Sequence, residues 1–334
     1  MQLFLNLIGN TLASRTLLSM LEKKTIHHAF IFSGPEGVGK KLFALELAKG
    51  ILGQQHSRKI AAMIHPDVRI FSPEGKSGIH PISSLQLWKE QMDLEPFEAD
   101  ARVFIIEEAD RMQPVGSNSL LKTLEEPPKK NFFILLTSQP DDIIPTIHSR
   151  CRQIPFFPIA EKEIYAYLKR HHEIDDSAIK KIAFLSHGSL QKANELITTP
   201  DDVKRKLLID LLKTDSYSVC EMAPHIAKIE TSLTEASSGE ENPLVFFTEV
   251  DRLFEEVFYW YRDLHLLSAG VSADFVFHLD ALEVLMTKDK TSLPSLEQLS
   301  EWIEECRLAI HRSMKVKTVL EYLFSCLHST KVSA

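Results

Sequence analysis

Residues 29–52 confine the chain to few architectures. The apolar run Ala29-Phe30-Ile31-Phe32-Ser33 leads at once into Gly34-Pro35-Glu36-Gly37-Val38-Gly39-Lys40-Lys41, and a helical pattern ended by Gly53 follows. Strand, glycine loop and helix in that order make a phosphate-binding turn. The glycines let successive backbone N–H groups turn toward an anion, the helix start adds its positive end, and Lys40 can neutralise charge on the outer phosphates. Gly34, Gly37, Gly39 and Lys40 are therefore the candidate nucleotide-binding residues.

The last letter of the motif departs from the pattern. A Ser or Thr belongs there, because its hydroxyl is a direct ligand of the magnesium ion that bridges the phosphates. Lys41 has no lone pair to offer and brings a second positive charge, so the loop is expected to hold ATP or ADP without hydrolysing it. A second acidic element, Val103-Phe104-Ile105-Ile106-Glu107-Glu108-Ala109-Asp110, ends an apolar run in carboxylates. An Asp at the first acidic position would hold magnesium and the next Glu would polarise water. Glu107, one methylene longer, weakens the first role, while Glu108 stands in the second. A strand-end acidic turn with no catalytic part is the competing reading.

Short β-branched and aromatic runs at 29–33, 68–71, 103–107 and 132–137 alternate with helical stretches at 41–52 and 117–126. That alternation predicts an α/β parallel sheet with crossover helices, its strands apolar because both faces are covered. Pro155-Phe156-Phe157-Pro158 reads as a linker, and helical patterns fill the rest. The expected organisation is a phosphate-loop domain over 1–158, a small helical lid over 159–202 and an all-α domain over 203–334, with the polar stretch 234–242 as a loop.

The chain has 334 residues, 44% of them apolar, and a formal net charge of −8. It can bury a large core, and it is not a globally basic nucleic-acid coat. Its 4 cysteines include no C-x-x-C pair, so neither a disulfide framework nor zinc is expected, and His56 with His65 cannot complete a tetrahedral site alone. No leader pattern and no membrane-length apolar run is visible, which predicts a cytoplasmic protein with no membrane contact.

Four stretches together resemble the clamp-loader branch of the AAA+ family: residues 28–40, His65-Pro66-Asp67, Asn118-Ser119-Leu120-Leu121-Lys122-Thr123-Leu124-Glu125-Glu126-Pro127-Pro128, and Ser149-Arg150-Cys151. The resemblance is firm over 1–158 and thins toward the C-terminus, where residues 308–312 and 319–321 look like collar helices. It implies that Arg150 is an arginine finger acting in trans on a neighbouring subunit. A permanently charged planar guanidinium suits that task, and such fingers contribute roughly 10³–10⁵ in rate in other NTPases. The competing reading is an arginine that caps or salt-bridges the preceding helix.

Further expectations follow from the resemblance. Thr137 or Ser138 stands at a γ-phosphate sensor position. Gln191 replaces a second sensor arginine in Gly188-Ser189-Leu190-Gln191-Lys192-Ala193, unless Lys192 substitutes. Lys122 and Glu126 could face a partner, and 51–64 lacks the zinc cysteines of many relatives. The implied protein is a non-hydrolysing subunit of a heteropentameric ring, alongside ATPase motor subunits and δ, within the DNA polymerase III holoenzyme. That ring loads a sliding clamp on primer–template DNA. A catalytically active AAA+ ATPase is the alternative, and a small-molecule P-loop kinase is disfavoured because the lid offers only Arg170 to close on a substrate.

Overall fold

The computed structural model describes residues 3–73, 80, 94–112, 114–126, 130–198, 203–214, 219–238, 243–278, 281–288, 290, 293–312 and 314–332. Its contacts divide the chain into two units, the first reaching Pro200 and the second running from Asp201.

In the first unit the elements run α1 (Thr11–Glu22), β1 (Ala29–Ser33), α2 (Lys40–Leu52), α3 (Ser57–Ala61), β2 (Val68–Phe71), β3 (Arg102–Ile106), α4 (Pro114–Glu125), β4 (Asn131–Thr137), α5 (Pro145–His148) and β5 (Arg152–Pro155). The strands form one parallel sheet in the order β2-β3-β4-β1-β5. Because side chains alternate along a strand, each strand feeds both faces. Phe30, Phe32, Val103, Ile105, Ile134 and Leu136 pack with Phe43, Leu47 and Leu17 of the flanking helices. Ala29, Ile31, Phe104, Ile106, Phe133 and Leu135 pack with Leu120, Leu124 and Ile147 on the other side. This is the expected α/β class, a doubly covered parallel sheet.

Three helices complete this unit: α6 (Glu161–His171), α7 (Asp176–Leu185) and α8 (Leu190–Thr198). They close on a small core of Ile159, Ile164, Leu168, Ile179, Ala183 and Ala193. The sequence patterns at 29–33 and 68–71 coincide with β1 and β2. β5 was not anticipated, since Arg-Gln-Ile-Pro is short, polar and exposed except at Ile154, as an edge strand is.

The second unit is helical among its described residues: α9 (Val203–Lys213), α10 (Val219–Ser238), α11 (Pro243–Ser268), α12 (Leu282–Thr287), α13 (Leu296–His311) and α14 (Val316–Val332). α10 continues through 234–238, part of the segment expected as a loop, because Thr-Glu-Ala-Ser carries no helix breaker. Residues 239–242, the remainder of that segment, lie outside the described residues, as do Pro127 and Pro128. α13 begins with a capping box in which the Ser295 hydroxyl accepts from the Gln298 N–H and the Gln298 side chain accepts from the Ser295 N–H. No described helix is long and apolar enough to cross a membrane.

One ionic cluster lies inside this second core. The fully buried His278 ring faces Asp263 Oδ2 at 2.9 Å through Nδ1 and Glu256 Oε2 at 3.0 Å through Nε2, and its backbone N–H also donates to Asp263. Arg262 and Arg205 hold the two carboxylates from outside at 2.9 and 3.1 Å. Burial alone would push the imidazole pKa down, but the two carboxylates hold it above the ordinary value of 6.5. Burial would likewise push Asp263 up, but His278 and two backbone N–H groups hold it below 3.8. The imidazolium's contribution is complete below the free histidine value and is lost as pH rises through the raised one, whereas that of Asp263 is lost as pH falls through its lowered value. Removing one member of a buried ion pair strands the other, so His278→Ala is expected to cost about 3–5 kcal/mol in denaturant unfolding of this unit. The native chain should lose stability on the alkaline side, and the variant should lack that decline.

Candidate functional site

A parallel sheet gathers all its strand ends of one kind at one edge, and the carboxyl edge here collects most of the predicted residues. The glycine loop follows β1, Ser72 follows β2, Glu107 and Glu108 follow β3, and Thr137 ends β4. Gly34 (φ 150°) is required by close approach, since a Cβ would lie 2.2 Å from the Phe156 carbonyl oxygen. Gly37 (φ 72°) is required on both counts, because its Cβ would meet Ser189 Oγ at 1.9 Å. Gly39 stands at the N-cap of α2 and Lys40 opens that helix.

The lid rests directly on the loop. The Gly37 carbonyl accepts the N–H groups of Leu190 at 3.0 Å and Gln191 at 3.4 Å, at the start of α8. Gln191, at the second-sensor position, donates to Glu195 one turn on at 3.0 Å. The Lys40 ammonium donates to the Gly34 carbonyl and, at 2.7 Å, to that of Pro35. Burial pulls its pKa down to about 8 against the opposing charges of Glu36, Asp110 and Glu108.

The two departures from the phosphate-loop pattern meet each other. Lys41 Nζ lies 2.8 Å from Glu107 Oε1, with the side chains 41% and 20% exposed, and the Ser72 hydroxyl donates to Glu107 Oε2 at 2.7 Å. Both oxygens of the acid at the metal position are thus engaged by protein donors. The donor set does not suit magnesium, a hard cation that takes oxygen ligands. Glu108, in the left-handed region at φ 47°, pairs with Arg111 at 3.0 Å. Burial pushes its carboxyl up, Arg111 opposes the shift, and the like charges of Glu36, Asp110 and Glu107 add to it. The buried Thr137 hydroxyl donates to Asp110 and accepts the Gln139 N–H at 3.0 Å, so this sensor candidate is turned into its own strand end.

Arg150 lies at the other edge. It precedes β5, which runs parallel to β1 with Phe30 beside Arg152 and Ser33 beside Pro155. The 5 residues of β1 separate the two edges by roughly 16 Å at about 3.3 Å per residue. Its guanidinium donates to Thr146 O at 3.0 Å, to Ser149 Oγ at 3.2 Å and to Glu125 Oε1 at 2.6 Å. The capping and salt-bridging contacts of the competing reading are therefore present, with Arg150 and Glu125 34% and 51% exposed. Cys151 packs against the sheet, and burial pushes its thiol up to about 12, so it anchors the motif and is not reactive. Glu126 is exposed nearby, whereas the Lys122 side chain lies outside the described residues.

Sequence reasoning missed three features. The Asn10 side chain accepts the Phe157 N–H at 2.7 Å and donates to Phe157 O at 3.2 Å and Val38 O at 3.5 Å, tying the N-terminal turn, loop and linker together. Its one signal is an Asn just ahead of a helix. Asp67 is fully buried, and its carboxylate takes the N–H groups of Phe97, Glu98 and Ala99 at 2.7, 2.7 and 2.9 Å. Burial would raise its pKa, but those donors and Arg102 hold it low. Third, His56, His65 and Glu98 bring ligand atoms within 4.8 Å of one another. His65 Nδ1 accepts the Asp67 N–H, so the proton sits on Nε2, which faces His56 Nδ1 at 2.9 Å; Lys59 holds Glu98 at 2.6 Å. That tautomer makes a hydrogen-bond cluster, because a metal on Nε2 would need the proton on Nδ1.

Glycine loop after β1, acidic end of β3, five-stranded parallel order and a helical lid on the loop are the arrangement expected of the AAA+ class that the sequence resembles. Residues 9–160 match the family described as DNA polymerase III, delta subunit. The chain is 34% identical over 160 residues to DNA polymerase III subunit delta' of Bacillus subtilis (strain 168), covering 45% of this chain and 48% of that one. It is 24% identical over 339 residues to subunit tau of the same organism, covering 94% and 58%. A DNA polymerase III gamma subunit-related protein from Thermotoga maritima aligns at 19% identity over 90% of this chain and 99% of that one, with a TM-score of 0.42. The chain spans about half the length of the curated relatives it matches, 48% and 58% for these two. Over residues 9–160 the chain is thus similar to DNA polymerase III subunits.

The lid contact is testable. A side chain at position 37 would be strained by its positive φ, at about 1–3 kcal/mol, and would displace Ser189. Gly37→Ala is expected to raise hydrogen exchange at the Leu190 and Gln191 amides while leaving those of β3 and β4 protected.

Proposed function

We propose that this chain is a δ′-like, non-hydrolysing subunit of a DNA polymerase III clamp loader. It takes its place in a heteropentameric ring with ATPase motor subunits and δ, in the cytoplasm, and lends Arg150 to a neighbour's ATP site while the ring loads a sliding clamp on primer–template DNA. The observation that carries this reading is the position of Arg150 at the sheet edge opposite its own glycine loop. It cannot serve the site its own chain builds, so a phosphate it meets belongs to another subunit. Glu125 shares its guanidinium and is itself half exposed, so a γ-phosphate can displace it. The chain's own pocket supports the passive half of the reading: Lys41 and Glu107 neutralise each other where a hydroxyl and a metal would act, and nucleotide held there is ATP or ADP that is not consumed.

The alignment with the tau subunit, over 94% of the chain, favours a second reading as an active motor ATPase. ATP turnover by the purified chain separates the two. We expect none, and none from Lys41→Thr, because Glu107 and Gln191 stay unsuited; robust turnover abolished by Lys40→Ala would establish the second reading.

Arg150→Ala is expected to leave the chain folded and assembled, since an exposed ion pair contributes about 0–1 kcal/mol. In the reconstituted complex the neighbouring site should lose hydrolysis by roughly 10³-fold or more, measured as DNA-stimulated turnover. Unchanged turnover would remove the finger assignment.

A further inference from the structure

The Lys41–Glu107 pair has a consequence for what the loop binds. Magnesium finds no donor at position 41, and both Glu107 oxygens are held, by Lys41 at 2.8 Å and Ser72 at 2.7 Å. The polyphosphate cradle is nevertheless intact. The Gly37 carbonyl is turned outward to the Leu190 and Gln191 N–H groups, and the Gly34 and Pro35 carbonyls take Lys40. Among the described residues no backbone carbonyl outside the helix takes the N–H groups of Gly39, Lys40 or Lys41. Consecutive N–H groups of this kind form an anion-binding nest at the start of α2.

We propose that this loop binds a nucleoside di- or triphosphate without a divalent cation, the Lys41 ammonium, held in place by Glu107, supplying the charge that the metal supplies in hydrolysing relatives. Two of the four carboxylates around the nest are ion-paired within the chain, which makes this workable. Glu107 is matched by Lys41, Glu108 by Arg111, and Asp110 accepts the Thr137 hydroxyl. Lys40, mostly protonated at neutral pH with its value near 8, can leave the loop carbonyls for a phosphate oxygen. Lys41 is 41% exposed, so its ammonium can keep Glu107 on one side and meet phosphate on the other. A lysine is a compact charge that can be held this way, but it cannot organise water for attack as a metal does. Binding and hydrolysis are thereby separated in one pocket.

This inference deepens the nucleotide part of the proposed function and does not depend on Arg150. The test is calorimetric titration of the purified full chain with ADP and with ATP, in EDTA and in excess magnesium. We expect Kd in EDTA to lie within about twofold of Kd in magnesium. Lys41→Met, which keeps the aliphatic stem and removes the charge, should weaken binding in EDTA by about tenfold or more at an unchanged melting temperature. Tenfold tighter binding by the native chain in magnesium would overturn the proposal, as would no binding of either nucleotide up to about 1 mM, or an unaltered Kd in the Lys41→Met chain. Any of these results leaves the reconstituted Arg150→Ala assay standing, because that assay reads the neighbour's site.

Discussion

Five strands running the same way give the sheet two chemically different edges, and the functional layout of the first unit follows from that polarity. At the carboxyl edge the chain leaves each strand with backbone N–H groups and short polar side chains converging, which is where open α/β sheets place their ligands. The glycine loop, Glu107, Glu108 and Thr137 gather there because they follow β1, β3 and β4. At the amino edge the chain returns from its crossover helices, so α4 delivers Glu125 and α5 delivers Arg150 beside each other. One edge gathers a glycine loop and carboxylates, and the other presents a guanidinium.

The sequence made β1, the glycine loop and α2 legible because their signal is local: a contiguous apolar run, fixed glycine spacing and a helical period within 25 residues. Glu107 and Glu108 were visible for the same reason, at the end of an apolar run. What they touch was not visible. The Lys41–Glu107 pair, the Ser189 hydroxyl beneath Gly37 and the N–H clamp on Asp67 join residues that only the folded sheet and lid bring together. Asn10 and Phe157 are 147 residues apart in sequence. Arg150 stood out only through its resemblance, since an exposed arginine in a polar stretch has no periodicity to betray it. β5 escaped because an exposed edge strand lacks the continuous apolar character that marked β1 and β4.

Lid and loop share one backbone group, which ties the state of the pocket to the start of α8. The Gly37 carbonyl accepts two lid N–H groups, and those donors belong to the first turn of a helix, where no intrahelical acceptor exists. Ser189 caps the same turn by accepting the Lys192 N–H at 3.2 Å. The loop therefore supplies the acceptor that a preceding turn would give to lid-helix donors otherwise left exposed. Asn10 ties Val38 of that loop to Phe157 ahead of the lid, so loop, linker and lid are hydrogen-bonded to one another.

The charges around the same loop bear on why a lysine at position 41 is compatible with the fold. Four carboxylates, Glu36, Glu107, Glu108 and Asp110, crowd the carboxyl edge near Lys40. In a hydrolysing site a divalent cation offsets such a cluster; here Lys41 and Arg111 pair with two of its members from within the chain. Replacing Lys41 with a hydroxyl alone would return the missing metal ligand but leave Glu107 with only Ser72 beside three like charges. The lysine and the longer acid therefore act as a pair, each engaging the other where a hydroxyl and a metal would otherwise meet.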